Sequence, residues 1–425
     1  MPRTHIAPIL LCALGIFGTA RAQTPKDVRA VAKGGTSTIP TVVQYLNSSA
    51  VDTRVEVIKQ LIAIGGKDTI DPLIRGTKDV DAEVQIRATD GLVNFYLPGY
   101  VKQGLGSSVI KAGNSIRAKF SDSNDQMIEA FVVVRPEVVA ALATVVRNGA
   151  TLDAKANACR AVGILRGQSA LPDLIDALRT KDNRVMYEAL IAMQKIRDPE
   201  AGPRVVYLLR DLDDKVQSAA IETVGLLRAK DALPGLRNIL SSPRNKVAER
   251  SALASLALMP EPQDRNVLKS YLSAKDDKNR AAAAEGLGRA GEPADKPVIE
   301  QAWKDEQKML PRLGAAFGLV MHGDVSVSEE APLRYLMNTL NSSAYRDVAL
   351  AYLVEAARRA DVRQALYQPL EQGTRDEKTR LCRVLAASGD AGSIAALEKA
   401  SRDADAEVAK EGFNALRTLR SRVTP

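Results

Sequence analysis

A step of 31 residues recurs through the middle of this chain and limits its fold more than any other feature does. Between Ala170 and Leu258 the same residue types return at that spacing. Three of the registers are Pro172, Pro203 and Pro234; Leu178, Leu209 and Leu240; and Val185, Val216 and Val247. Repeats of about 20–50 residues form stacked units that bury their apolar faces only against neighbours. The spacing therefore predicts a repeat array.

Each repeat is predicted to be a helical hairpin. Pro172 opens a run with apolar residues at helical spacing as far as Leu178, and proline is well tolerated in a first turn. Asn183 is the predicted N-cap of a second amphipathic helix that ends near Ile196. Two helices of about 11–14 residues and short turns use all 31 positions and leave no room for strands.

Small residues are expected where the helices meet. Ala189, Ala220 and Ser251 form one such register, and Ala281–Ala284 form a small-residue run. Such residues allow helix axes to approach to about 8 Å. The composition agrees, since only 4% of residues are aromatic while 45% are hydrophobic.

The repeat resembles the HEAT repeat, particularly the short bacterial type named after phycobilisome lyases. The second helix of that type begins with aspartate, followed by valine, alanines and leucine. Matching stretches are Asp81 to Leu92, Asp213 to Gly225 and Asp405 to Leu416. The resemblance implies an all-α, right-handed α-α superhelix of about eleven hairpins. It leaves function open, because the family includes scaffolds, adaptors and a few enzymes.

The first 22 residues have the pattern of a secretory signal peptide. Arg3 gives the positive start, Ile9–Phe17 the apolar stretch, and Ala20–Ala22 an A-x-A cleavage site. The alternative is a retained anchor, although the apolar stretch is short for a membrane span. We expect an exported protein, periplasmic or secreted, with no transmembrane anchor after cleavage.

The rest of the chain divides into four parts. They are a polar leader at 23–38, repeats 1–2 at 39–96, an irregular insert at 97–135, and repeats 3–11 at 136–425. The insert contains glycines, a serine cluster and β-branched runs, so its interpretations are a functional loop, a tolerated surface loop and an irregular repeat. Short strands at 108–110, 115–120 and 131–134 are one interpretation of its pattern.

The insert is the first candidate for a partner-binding element, because aromatic residues lie among its basic residues. The candidate residues there are Tyr100, Lys102, Lys111, Arg117 and Lys119. A second candidate is a basic position at the head of each second helix. Its members are Arg54, Lys155, Arg184, Lys215, Lys246, Arg280, Arg312 and Arg346. Stacking would align them as a ladder that binds an acidic partner in a salt-sensitive way. The alternative is that they only form weak surface pairs with acids such as Asp182, Asp213 and Asp276.

Residues typical of several catalytic sites are scarce. The chain has two histidines, His5 and His322, too few for a histidine triad outside the signal or a paired histidine metal site. No phosphate-binding loop motif is present. We therefore predict no catalytic residues, no cofactor and no metal. His322 is expected at a helix end, and Trp303 in the core.

These observations favour an exported scaffold or adaptor without enzymatic activity. Its concave surface and the 97–135 insert are predicted to bind another protein. Two alternatives remain. One is a chromophore-lyase-like enzyme of the same repeat family. The other is a binder of an acidic polymer or nucleic acid, of which nucleic acid is disfavoured because a net charge of +8 is small for 425 residues.

Overall fold

A computed structural model describes residues 24–101, 126–129 and 131–423. These residues form 23 α-helices and no β-strand. After the first helix, the helices alternate as the outer (A) and inner (B) members of eleven hairpins stacked into a right-handed superhelix. The predicted fold class is confirmed.

The helix bounds follow the predicted repeats. The first helix is α1 (Pro25–Ala32). The A helices are α2 (Ile39–Gln44), α4 (Ile70–Gly76), α6 (Pro136–Asn148), α8 (Leu171–Ala177), α10 (Gly202–Val205), α12 (Leu233–Ser241), α14 (Arg265–Tyr271), α16 (Lys296–Asp305), α18 (Pro332–Thr339), α20 (Ala360–Gln372) and α22 (Ile394–Ala400). The B helices are α3 (Val51–Ile64), α5 (Ala82–Tyr96), α7 (Leu152–Ile164), α9 (Asn183–Ile196), α11 (Asp214–Leu226), α13 (Lys246–Leu258), α15 (Asp277–Ala290), α17 (Met309–Met321), α19 (Arg346–Ala356), α21 (Arg375–Ser388) and α23 (Ala406–Val423).

Aspartates fix the start of several B helices. Asp182 caps α9 by accepting hydrogen bonds from two backbone amides, and Asp213 and Asp276 do the same for α11 and α15. The prediction that Asn183 caps α9 is wrong, because Asn183 is the first helical residue. In α13 the cap is Asn245, one register position later. An oxygen at either position can reach the free amides of the first turn.

Several A helices are shorter than predicted. Pro172, Pro203 and Pro234 do lie in the first turns of their helices. A 3-10 turn precedes each of these helices, and in the fifth hairpin a second 3-10 turn replaces most of α10. The B helices keep 11 to 18 residues, so they form the continuous wall of the superhelix.

The polar leader contains an ordered helix. Thr24 and Asp27 form a capping box at the start of α1. Val28 is fully buried, and Arg29 pairs with Glu56 of α3 at 3.1 Å. This helix therefore covers the apolar side of the first hairpin, as the end of an open stack requires.

Helices α15 and α17 approach each other more closely than ordinary side chains allow. A Cβ added at Gly314 would lie 2.6 Å from the carbonyl oxygen of Ala281, and one at Gly318 would lie 2.8 Å from that of Ala284. One at Gly288 would lie 2.5 Å from the Cα of Gly318. The predicted role of the Ala281–Ala284 run is confirmed. The backbones of these two neighbouring B helices are therefore in close contact at this point of the stack.

Within the described residues, no helix is long and apolar enough to cross a membrane. The predicted signal peptide at 1–22 lies outside those residues, so export stays a prediction. Cys159 and Cys382 are buried free thiols. At 131–134, where a short strand was one interpretation, the backbone is irregular, so that interpretation is wrong; the other two stretches lie outside the described residues.

Replacing Gly314 by alanine should destabilise the protein. The helical preference for alanine over glycine favours the substitution by about 1 kcal/mol. The new Cβ, however, would meet the Ala281 backbone, and overpacking costs about 1–3 kcal/mol. We expect a lower thermal unfolding temperature by circular dichroism. Gly235→Ala is the matched control, because its Cβ meets only the tip of the Leu209 side chain. Equal unfolding temperatures for the two variants would contradict the close approach.

Candidate functional site

The inner face of the superhelix closes on itself. Arg228, directly after α11, donates a hydrogen bond to Glu355 of α19 over 2.9 Å between Nη2 and Oε1. These residues belong to the fifth and ninth hairpins. An open solenoid keeps contacts between neighbouring repeats. Here the stack curves enough for hairpins four repeats apart to touch.

Arg289 of α15 forms the centre of this closure. Its Nε and Nη2 donate to the two carboxylate oxygens of Glu355 at 3.0 and 2.8 Å. Its Nη1 donates to Glu285 at 3.1 Å and to the carbonyl of Ala257 at 3.0 Å. The Arg289 side chain is only 7% exposed, and burying an unpaired charge would be costly. The hydrogen bonds to Glu355, Glu285 and Ala257 compensate for this burial.

Aromatic rings also connect α15, α17 and α19. Phe317 of α17 stacks on Tyr352 of α19 with ring centroids 4.8 Å apart, and the Arg289 guanidinium lies 4.8 Å from the Phe317 centroid. The Tyr352 hydroxyl donates to Glu285. Arginine over an aromatic face is attracted electrostatically. We call Arg228, Glu285, Arg289, Tyr352 and Glu355 the closure cluster.

Burial and charge set the protonation states in the closure cluster. Burial alone would raise the pKa of Glu355, but hydrogen bonds and charge from Arg289, with the charges of Arg228 and Arg358, outweigh it and lower that pKa. Burial and the charge of Glu285 raise the pKa of Tyr352 well above its ordinary value. At neutral pH Glu355 is therefore ionised, and Tyr352 is a hydrogen-bond donor.

The end of the insert makes a second closing contact. Ile128 is buried and its amide donates to the carbonyl of Ile164 at 3.0 Å, which ties the segment to α7. Phe131 lies under the guanidinium of Arg417 of α23, 4.7 Å from its ring centroid. The segment thus runs from the third hairpin to the eleventh.

Beside these contacts lies a cleft of about 1790 Å³ that is partly open to solvent. One wall is formed by α9 and α11, and the other by α19, the turn after it, and α21. Lining residues include Arg184, Tyr187, Ile191, Gln194, Lys215, Ser218, Glu222 and Leu226 on the first wall, and Asp347, Val354, Arg358 and Ala387 on the second. Met127 of the insert also contributes. Apolar and charged side chains far apart in sequence therefore converge on one cavity.

Glu222 is the acidic side chain of the cleft with a raised pKa. Its carboxylate is open to the cleft but surrounded by protein, and this desolvation raises its pKa. A hydrogen bond from Ser251 at 3.3 Å and the charge of Lys278 oppose the effect without cancelling it. A carboxyl with a raised pKa in a cleft is a candidate proton donor or acceptor.

A buried ion pair lies behind the first wall. Arg160 of α7 donates to both carboxylate oxygens of Glu188 of α9, at 2.6 and 3.2 Å, and both side chains are 3% exposed. Tyr100 hydrogen-bonds the same arginine. Burial, together with the charge of Asp90, raises the pKa of the Tyr100 phenol. The wall is therefore held by a charged network rather than by apolar packing alone.

Comparison with known proteins identifies the repeat. A family model described as HEAT repeats matches residues 139–225 and 233–320. The chain is also 30% identical over 204 residues to phycocyanobilin lyase subunit alpha of Nostoc sp. (strain PCC 7120), which is 44% of this chain and 72% of that protein. The chain belongs to the HEAT-repeat family.

Two solved structures of HEAT-like shape are also similar. One is a complex of two phycocyanin lyase chains from Nostoc sp. PCC 7120, with 19% identity and a TM-score of 0.39, covering 67% of this chain and 96% of that chain. The other is an engineered protein, with 20% identity and a TM-score of 0.38, covering 90% and 98%.

The match to a lyase subunit corrects one prediction. The scarcity of histidine and the repeat architecture led to the expectation that this HEAT-repeat protein is not an enzyme. That expectation is contradicted, because the relative that is 30% identical over 72% of its own length is named as a subunit of a lyase, and lyases are enzymes. Scarce histidine excludes only the kinds of site that need histidine.

The predicted binding residues of the insert lie mostly outside the described residues. Lys102, Lys111, Arg117 and Lys119 are in that part of the chain, so their role stays a prediction. Tyr100 is half-buried and bonded to Arg160, which places it beneath the cleft wall.

The predicted basic ladder has members in different environments. Arg184 pairs with Asp153 of the preceding hairpin, and Arg280 pairs with Glu306 at 2.7 Å and Asp277 at 2.9 Å. Lys215 lines the cleft, whereas Lys246 is exposed elsewhere. The aspartates expected as partners mainly cap helices instead. Whether the ladder binds a partner stays a prediction.

Sequence reasoning missed the closure cluster and also the basic residues at the ends of the B helices. Arg166, Arg197 and Arg228 follow α7, α9 and α11 at the same step of 31 residues. This register was visible in the sequence. Nothing in the periodicity, however, indicated that these ends face a cavity.

Other predicted positions are structural. Trp303 is half-buried against Tyr335, with ring centroids 4.9 Å apart, and Arg312 stacks over it at 4.6 Å. His322 is the C-cap of α17, at a helix end as expected, and burial lowers its pKa, so the ring is neutral at pH 7. Among the described residues, no group of three or more histidine, cysteine or acidic side chains is placed to hold a metal.

Removing Glu355 should open the closure. In Glu355→Ala, Arg289 keeps only Glu285 as a charged partner, and breaking a buried pair costs about 3–5 kcal/mol. We expect a larger radius of gyration in small-angle X-ray scattering. Glu371→Ala is the control, because Glu371 forms an exposed pair with Lys399 that contributes about 0–1 kcal/mol. An unchanged radius for Glu355→Ala would show that the cluster does not hold the closure.

The closure should also weaken in acid. Because the folded state lowers the pKa of Glu355 below its ordinary value of 4.5, the stabilisation is complete above that value and is lost as the pH falls through the lowered pKa. The radius of gyration should therefore stay constant from pH 7 to about pH 5 and increase at lower pH. Glu355→Gln should lack this transition. A variant that expands with the same pH profile as the native protein would assign the transition to other groups.

Proposed function

We propose that this HEAT-repeat protein is a subunit of a lyase that holds a bilin-like, extended conjugated molecule in its central cleft and presents it to a second protein. The observation that carries the proposal is the cleft of about 1790 Å³ in a chain related to a phycocyanobilin lyase subunit. The exported location predicted from residues 1–22 forms part of the same proposal.

The size and lining of the cleft support an extended ligand. Pockets for small molecules usually measure about 300–1,000 Å³. This cleft is larger, so a small molecule and a short segment of an acceptor protein fit together. Ile191, Leu226 and Val354 supply apolar surface for a conjugated ring system, while charged side chains fix its orientation.

Glu222 supplies the acid-base chemistry that such a reaction requires. When a nucleophile adds to a carbon–carbon double bond, the second carbon must receive a proton, and elimination removes it again. A carboxyl with a raised pKa retains that proton closer to neutral pH than an ordinary glutamate does. We assign this proton transfer to Glu222.

A protein partner is part of this function. The insert at 97–135 begins and ends beside the cleft, since Tyr100 contacts its wall and Met127 lines it. A protein bound to the insert would therefore lie at the cleft. This arrangement supports the proposal that the predicted protein partner binds beside the small molecule.

Titration of the purified protein with phycocyanobilin tests the proposal. We expect a saturable change in the visible absorption spectrum with one bilin per chain. Ser218→Trp should abolish it, because Ser218 lines the cleft and the larger side chain fills it. Ser241→Trp is the control, since Ser241 is exposed on α12 and does not line the cleft. No spectral change in the native protein, or an equal change in both variants, would disprove binding in the cleft.

A further inference from the structure

Three arginines at the ends of B helices meet at one side of the cleft. Arg166 follows α7, Arg197 follows α9, and Arg358 lies across the cleft after α19. All three line the same cavity and are exposed to it. The positive charges of Arg166 and Arg358 act on Arg197 and, with its burial as the larger cause, lower its pKa. Three like charges thus converge from hairpins three, four and nine.

The cluster lacks a direct acidic partner among the described residues, although the charge of Glu355 also acts on Arg358. Within residues 24–101, 126–129 and 131–423, none of the three guanidinium groups has a hydrogen bond or an ion pair with a side chain or carbonyl. The acidic residues of the cleft are engaged elsewhere. Glu188 binds Arg160, Asp213 caps α11, Asp214 binds Arg244, and Glu222 accepts from Ser251. Asp347, the remaining acid, faces Arg380 and Arg383.

The backbone at two of these positions is unfavourable for arginine. Arg166 and Arg197 have positive φ angles of 51° and 62°. Later B helices use glycine at their ends, Gly291 at 66° and Gly323 at 92°, where positive φ has no steric cost. For other residues the left-handed conformation costs about 1–2 kcal/mol. Arginine at these two positions is unfavourable both for the backbone conformation and for the electrostatic energy. We therefore infer that its side chain has a role in binding.

We propose that Arg166, Arg197 and Arg358 form a binding site for a small molecule that carries two or more oxyanion groups, either carboxylates or phosphates. Guanidinium groups bind both through paired N–H donors. Three of them, aimed from two walls, bind two or more oxyanions of one molecule. This proposal stands without the lyase role, because it requires only an anion in the cleft.

Isothermal titration calorimetry with citrate and with inorganic pyrophosphate, each at constant ionic strength, tests the site. The comparison of the two anions shows whether the site prefers carboxylates or phosphates. At least one anion should bind with one site per chain. Tighter citrate binding indicates a polycarboxylate ligand, and tighter pyrophosphate binding indicates a phosphorylated one. Failure of both anions to bind would overturn the proposal.

Two variants separate recognition from bulk charge. Arg197→Gln should weaken anion binding at least tenfold, with Arg197→Lys between it and the native protein. Arg402→Gln removes the same charge from an exposed position outside the cleft and should change binding less than twofold. Equal weakening by Arg197→Gln and Arg402→Gln would overturn the site.

The thermal stability of the free protein tests independently whether Arg197 is a binding residue or a structural one. Because Arg197 is held beside two like charges, Arg197→Gln should unfold at the same or a higher temperature than the native protein. Anions should then raise the unfolding temperature of the native protein only. If Arg197→Gln lowered the unfolding temperature and kept the anion-induced increase, the arginine would be structural and the proposal wrong.

Discussion

The bidentate contact between Arg289 and Glu355 converts an open stack into a closed one. The glycines and alanines of α15 and α17 allow these two helices to pack closely, and Glu355 of α19 reaches Arg289 of α15 in the same part of the stack. A buried ion pair adds little net stability compared with apolar packing, but an unpaired member is costly. The contact therefore acts chiefly by selecting one curvature. Arg228 uses the same carboxylate, so the position of the fifth hairpin is set by the same charge.

The fold was predictable from sequence because every repeat carries its own local information. Prolines in first turns, aspartate caps and small residues at fixed registers each act within one hairpin or between neighbours. Closure is different. Arg228 and Glu355 are 127 residues apart, and their contact depends on small rotations summed over four repeats. A periodic pattern specifies each step of a superhelix, but it does not specify where the accumulated turn brings two side chains together.

The candidate site was only partly predictable, for a related reason. Basic residues at the heads of B helices were chosen because they recur, yet Arg184 and Arg280 pair with nearby acids. Arg166 and Arg197 recur just as regularly at the other helix ends, where neither has an ion pair with another described residue. The recurrence of a basic residue shows its position in the repeat. Whether its charge can bind a partner depends on which acidic side chains lie near it in the folded protein. Glu222 had no sequence signal, because its raised pKa results from desolvation that arises only in the folded stack.

The scarcity of histidine is a weak argument against enzymatic activity in a stack whose inner face forms a cleft. In an open solenoid an exposed glutamate keeps its ordinary pKa, and water competes for every donor. In the cleft, where protein surrounds part of Glu222, desolvation raises the pKa of this glutamate while Arg160 and Glu188 retain each other as partners. One carboxyl can then transfer a proton without a histidine. Curvature therefore determines chemistry here, because the same helices arranged in a straighter stack would present these groups to bulk water, where they would titrate as ordinary surface residues.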